Sequence, residues 1–151
     1  MLWQSAFVAA LLSLAGHVGG KVHARLAAVE SRVETAKLAT PDPKSTLRIE
    51  LEQELVKIDW TAEKVNRPFE LVAVLSDAES STGKNGAHAS CTIQLLMREP
   101  GGALLGRVTG RASGEDREGS RLSLEAGVFE AASRSAASAL PEALRRSRKA
   151  R

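Results

Sequence analysis

Residues 87–98 (AHASCTIQLLMR) show the clearest pattern in the chain. Ala89, Cys91, Ile93, Leu95 and Met97 fall on one side of a period of two, with Ser90, Thr92, Gln94 and Arg98 mostly on the other. A half-buried strand produces this alternation, because successive side chains leave opposite faces of the sheet. Glu99-Pro100-Gly101-Gly102 follows as a strong turn signal. Residues 103–112 (ALLGRVTGRA) then return, with Leu104, Val108 and Ala112 on one face and Arg107, Thr109 and Arg111 on the other. Residues 69–76 (FELVAVLS) read as a third strand, entered through Asn66-Arg67-Pro68, and residues 80–86 (SSTGKNG) as a polar loop. Residues 113–120 (SGEDREGS) form a charged loop.

Helical periodicity dominates elsewhere. Leu124, Val128, Ala131, Ser135 and Ala139 recur at helical spacing, with Phe129, Ala132 and Ala136 beside them. This predicts a helix over residues 122–140 that Pro141 ends or kinks. Its Ala/Ser run (AASRSAASA) makes one side thin enough to approach a sheet closely. Residues 45–60 carry Leu47, Leu51, Leu55 and Ile58 on one helical face. Leu47, Ile49 and Leu51 also alternate as in a strand, but the fuller stripe and the weak strand formers Glu, Gln and Lys select a helix, with Ser45 or Thr46 as its cap. Residues 21–38 read as an amphipathic helix through Val22, Leu26, Val33 and Leu38, broken by Thr40-Pro41-Asp42-Pro43.

The first twenty residues contain no Asp, Glu, Lys or Arg, and an apolar stretch (AFVAALLSLA) fills residues 6–15. About ten apolar residues suit the core of a secretory signal, whereas a membrane-spanning helix needs roughly 20. Val22-His23-Ala24 and Ser13-Leu14-Ala15 offer the small residues that precede cleavage, so the expected cut follows Ala24 or Ala15. The only positive charge before the apolar stretch is the amine of Met1, and this leaves an uncleaved N-terminal anchor as the alternative. Leu14-Ala15-Gly16 begins like a lipoprotein box, but His17 stands where the lipid-bearing Cys would be. The expected location is the periplasm or the exterior.

Charge is unevenly distributed. Arg145, Arg146, Arg148, Lys149 and Arg151 place five positive charges in the last seven residues. Without them and Lys21, 15 basic and 18 acidic residues remain, so the net charge of +3 reflects the tail. A solvated end is the ordinary reading of such a tail; an anionic lipid or polyanion is the partner it would suit. Cys91 is the only cysteine, so no intramolecular disulfide forms.

The residues assign no catalytic, cofactor or metal site. Removing the leader would take His17 and His23 with it and leave His88 alone, with no His or Cys pair at ligand spacing. On a strand His88 and Cys91 face opposite ways, and no Ser sits in a Gly-x-Ser-x-Gly elbow. Gly83-Lys84 lacks the upstream glycine of a phosphate loop and precedes a strand. Carboxylates gather at Glu50, Glu52, Glu54 and Asp59, and again at Glu115, Asp116 and Glu118. A carboxylate-dependent hydrolase would need two of them converging across a cleft. Arg98, Arg107 and Arg111 share the polar face of the hairpin without interleaved aromatics, which disfavours nucleic acid and suits a protein partner.

The layout of apolar leader, Pro-containing linker, hairpin (SCTIQLLMREPGGALLGRVTGRA) and closing Ala-rich helix resembles small exported bacterial proteins, including lipoprotein-like envelope assembly factors. The resemblance covers residues 45–144 and carries over no functional residue. The expected fold is α+β: a three-stranded antiparallel sheet covered by a long C-terminal helix, with a helix before the sheet and a separate N-terminal signal helix. The expected parts are a signal over residues 1–24, a helix and linker over 25–43, one domain over 44–144 and a basic tail over 145–151. The expected function is a non-enzymatic envelope module. It would bind a protein through Arg98, Arg107 and Arg111 on the sheet face or through a sheet edge. The alternatives are the small hydrolase and an anionic-surface binder acting through Arg145, Arg146, Arg148, Lys149 and Arg151.

Overall fold

The structure, a computed structural model, describes residues 24–149 apart from 64 and 66. The leader, with His17 and His23, and Arg151 lie outside the described residues. Four strands form one mixed sheet: β1 (Ala24–Ser31), β2 (Phe69–Gly83), β3 (Gly86–Arg98) and β4 (Leu104–Asp116), in the order β1-β2-β3-β4. Two helices, α1 (Pro43–Val56) and α2 (Arg121–Lys149), cover one face. The fold is α+β, with a helix before most of the sheet and a long closing helix, as the sequence predicts.

The antiparallel three-stranded sheet needs correcting to four mixed strands. Residues 24–31, expected as part of a helix, form β1, which runs parallel to β2 from Ala24 opposite Phe69 to Ser31 opposite Leu75. A parallel pair needs a crossover, and a short 3₁₀ turn at Thr35–Lys37 followed by α1 supplies it. A bulge explains why the strand looked helical. The register slips between Leu26 and Ala28, so Ala27 is an extra residue. Leu26 and Val29 therefore share the inner face three positions apart, the spacing of a helical stripe.

A second bulge lies between Leu75 and Asp77 on β2. It puts Leu75 and Ala78 on the same buried face, although strict alternation would separate them. Beyond it β2 and β3 continue together to Gly83 opposite Gly86, so the expected loop over residues 80–86 shrinks to a turn at Lys84 and Asn85. Gly86 has φ 101°, and a Cβ there would lie 2.3 Å from the Asp116 carbonyl oxygen, so only glycine fits. β4 likewise extends to Asp116, into the expected charged loop.

α1 starts at Pro43, earlier than expected. Asp42 is the N-cap, accepting from the Ser45 N–H at 3.2 Å, and Pro43 occupies the first turn where its missing donor costs nothing. Thus the Pro-Asp-Pro break is also a helix start. Leu47, Leu51 and Leu55 are buried in one core with Leu71, Ile93, Leu95, Phe129 and Leu140. α2 passes through Pro141 and reaches Lys149, so Arg145, Arg146, Arg148 and Lys149 belong to a helix and not to a loose tail. A proline inside a helix costs about 3 kcal/mol. Burial of Leu140 and Leu144 on either side of it contributes about 1.5–3 kcal/mol each, enough to carry the helix through.

α2 runs antiparallel to β4 and rests on it through small residues. A Cβ at Gly110 would lie 2.2 Å from the Ala132 carbonyl oxygen and 2.8 Å from the Ala136 Cβ. At Gly114 the nearest atom would be the Leu124 Cδ1, at 3.2 Å. The thin Ala/Ser side of the helix therefore meets a glycine-bearing stretch of strand.

Candidate functional site

Three regions of the surface or interior concentrate polar groups: the uncovered sheet face, a cleft at one end of the sheet, and a buried carboxylate at the other.

The uncovered face follows from alternation. Val108 and Gly110 point to the helices, so Arg107, Thr109 and Arg111 point away and are exposed. Arg107 neighbours Leu96 and Arg111 neighbours Thr92 on β3. Arg98 lies on the same face and pairs with Glu70 of β2 at 3.4 Å. Val72 and Val74 are buried on this face yet lie outside the main core cluster. Leu96, half-buried between them and β4, is the apolar side chain this face exposes beside the arginines. Among the described residues β4 pairs with β3 alone, so its other edge is open. His88 is on this face too, 3.5 Å from Glu115.

The cleft holds about 590 Å³, within the ~300–1,000 Å³ usual for ligand sites. Val65, Phe69, Leu105 and Leu144 make its apolar walls, and Arg67, Glu99 and Arg148 supply its charged groups. Several elements position these residues. Phe69 opens β2, and its ring meets Trp60 edge-on with centroids 5.3 Å apart. The β3–β4 turn closes one side, held by Glu99 N–H donating to the Ala103 carbonyl and Gly102 N–H to that of Glu99, each at 2.8 Å. The last turns of α2 close the other. A groove of about 450 Å³ continues from it between β4 and α2, past Leu105 and Ser147 to Arg107 and Arg146. In the sequence these residues fall in two predicted strands (Phe69, Leu105), two turns (Arg67 and Pro68; Glu99 to Gly101) and the basic end of the chain (Arg148), and of these only the basic cluster at 145–151 pointed to a binding role.

At the other end, Glu125 is 2% exposed. It accepts from the Ala39 N–H at 2.6 Å, the Thr40 N–H at 3.1 Å and the Thr40 hydroxyl at 2.9 Å. The Ser80 hydroxyl also donates to it. Arg121 donates to the Ser80 Oγ at 2.6 Å and to the Lys37 carbonyl at 3.0 Å. Burial pushes the Glu125 carboxyl up, but the hydrogen bonds from Ser80, Ala39 and Thr40 outweigh it and hold the group below the usual glutamate range. Every acceptor direction points to backbone or hydroxyl donors of its own fold, so the network ties the start of α2 to the linker and to β2. Nothing in the sequence distinguished Glu125 from the other acidic residues.

The remaining candidates are dispersed. Glu54 is buried between α1 and α2, 2.9 Å from Lys57 and 3.7 Å from Arg134. The cleft is lined by one carboxylate, Glu99, and the groove by one, Glu142, so no pair converges across either. Burial raises the Cys91 thiol to about 12, which keeps it protonated and inert. Among the described residues no group of three His, Cys, Asp or Glu side chains is placed to hold a metal ion, and no helix is long and apolar enough to cross a membrane.

No protein-family model matches the sequence, and no curated protein matches it. Solved structures do resemble it in fold. The PelC dodecamer from Paraburkholderia phytofirmans is 16% identical, with 72% of this chain and 83% of that chain covered and a TM-score of 0.46. A Xanthomonas campestris protein of family model DUF330 is 10% identical, with 85% and 88% covered and a TM-score of 0.48. A minor lipoprotein from Acinetobacter baumannii is 13% identical, with 76% and 90% covered and a TM-score of 0.44. The resemblance is thus to small bacterial proteins that include lipoproteins, and it is one of fold alone.

Proposed function

We propose that the chain is an exported, non-enzymatic interaction module of the bacterial cell envelope that recruits a protein partner on the uncovered sheet face and the β4 edge. The observation that carries this reading is the composition of that face. Arg107, Thr109 and Arg111 are exposed there beside the half-buried Leu96, and Arg98 pairs with Glu70, while Val72 and Val74 lie beneath with almost no surface of their own. Exposed arginines beside a partly exposed leucine are common in protein-binding patches. The adjacent open edge offers unpaired backbone groups to an incoming strand. Export rests on the uncharged leader, with cleavage after Ala24 or Ala15. The later cut would fall at the first residue of β1 and leave the rest of the strand in place.

The test is photocrosslinking in cells from position 109, on the outer face of β4, against position 52, on the exposed side of α1. A single adduct from position 109 that disappears in the R107E/R111E variant is the expected result. Equal adducts from both positions, or none from position 109, would reject the sheet face. N-terminal sequencing of the native protein tests export, with Arg25 or Gly16 as the expected first residue.

A further inference from the structure

The cleft beside Phe69 shares one end of the molecule with two other features. Leu104, 66% exposed, stands beside Leu105 at the start of β4. α2 ends here with Arg145, Arg146, Arg148 and Lys149 on one or other side of its last turns. Basic residues at a helix C-terminus have an ordinary explanation in the helix dipole. Arg67 has none of that kind: it comes from the segment before β2, yet lines the same cleft as Arg148. Neither Arg67, Arg148 nor Lys149 makes a salt bridge with another described residue, whereas Arg145 pairs with Glu63 at 3.6 Å and Arg146 with Glu142 at 2.7 Å.

We infer that this end of the molecule docks on an anionic lipid surface, with the cleft taking one acyl chain of a phospholipid, Arg67 and Arg148 at its lining meeting the phosphate, and Lys149, outside the cleft, adding to the attraction for the surface. Charge complementarity selects the occupant. Apolar walls alone would suit many ligands, but Arg67 and Arg148, from two separate elements, outnumber the one carboxylate of the lining, Glu99, and so suit an amphiphile whose head is negative. The binding is peripheral and additive: basic side chains contribute the electrostatic part and the cleft the apolar part. It does not depend on the sheet-face reading, since the two surfaces share no arginine in these roles.

The full chain carrying Trp3→Phe retains Trp60 as its single tryptophan, stacked edge-on against Phe69. It would be titrated with phosphatidylglycerol vesicles, with phosphatidylcholine vesicles, and with phosphatidylglycerol brominated along its acyl chains. The expected result is binding to the anionic vesicles at least ~10-fold tighter than to the neutral ones, with Trp60 quenched by the brominated lipid. R148Q/K149Q should weaken anionic binding about 30-fold, taking each basic residue near the surface at its usual contribution. Gly101→Phe fills the cleft mouth at a position where an added Cβ meets nothing within 4 Å, so it should abolish quenching while far-UV circular dichroism stays unchanged. Equal binding to both vesicle types would assign attachment to the uncharged leader and overturn the proposal. So would anionic binding without Trp60 quenching, which means adhesion with an empty cleft, or an R148Q/K149Q variant that binds as the parent does.

Discussion

α2 and β4 meet along most of their lengths, but their two ends are packed in different ways. Around Gly110 and Gly114 the helix lies directly on the strand, with Ala132 and Ala136 fully buried and no room for one added carbon at Gly110. Around Leu105 and Leu144 the same two elements part and leave a cleft. The closed end also holds the Glu125 network, while the open end holds a turn with φ-positive Gly102 and space around it. One helix–strand pair thus provides both a rigid anchor and an unfilled site. The change from small to large side chains on the inner face of β4 coincides with the bulge between Met97 and Arg98, which inserts Leu105 opposite β3. A bulge near a strand end re-aims its side chains, and the extra residue here, Leu105, is one that lines the cleft.

Substitutions at the two ends should therefore differ sharply. Glu125→Ala should have the largest effect, about 3–5 kcal/mol in urea unfolding, because it leaves several buried donors without an acceptor. Gly110→Ala should cost about 2–3 kcal/mol by the same measurement, since the clash is with backbone and cannot relax by rotamer change. Gly114→Ala meets only the end of a leucine side chain, so its change should stay within about 1 kcal/mol. Gly101→Phe at the open end should alter stability by less than about 0.5 kcal/mol. A Gly110→Ala protein as stable as the parent would show that the seam is loose, and the contrast between the two ends would fail.

Acid sharpens the same comparison. The Glu125 carboxyl titrates below its ordinary value of 4.5 in the folded protein, so its contribution is complete above that value. It is lost as pH falls through the lowered folded value, because the unfolded chain then binds a proton that the folded one resists. Stability measured by urea between pH 6 and pH 3 should decline in the parent, and the Glu125→Gln protein, already weaker, should decline less over that range.

Regular elements were legible in the sequence, and irregular ones were not. β3 keeps strict alternation through its whole length, and its boundaries match the pattern closely. β1 and the second half of β2 each contain a bulge, which converts a period of two into a local step of three. In β1 that step joined with alanine and glutamate, both weak strand formers, to imitate a helix. The outward direction of Arg107 and Arg111 followed from alternation on either side of Val108. The cleft did not, because its walls come from four separated segments that only the crossover and the long helix bring together. Glu125 was hidden for a similar reason: its meaning lies in donors contributed by Ala39, Thr40 and Ser80, distant in the sequence.

Those distances impose an order on the life of the chain. Glu125 closes bonds to residues 86 and 85 positions earlier, and α2 is synthesised after every strand it covers. Until residue 125 and the alanines behind it emerge, Val108, Gly110, Ala112 and Gly114 on the inner side of β4 have no lid, and the linker at Ala39 and Thr40 has no anchor. A contact so remote in sequence carries a large closure entropy and forms late. The growing polypeptide therefore lacks a finished tertiary structure until its final helix is released.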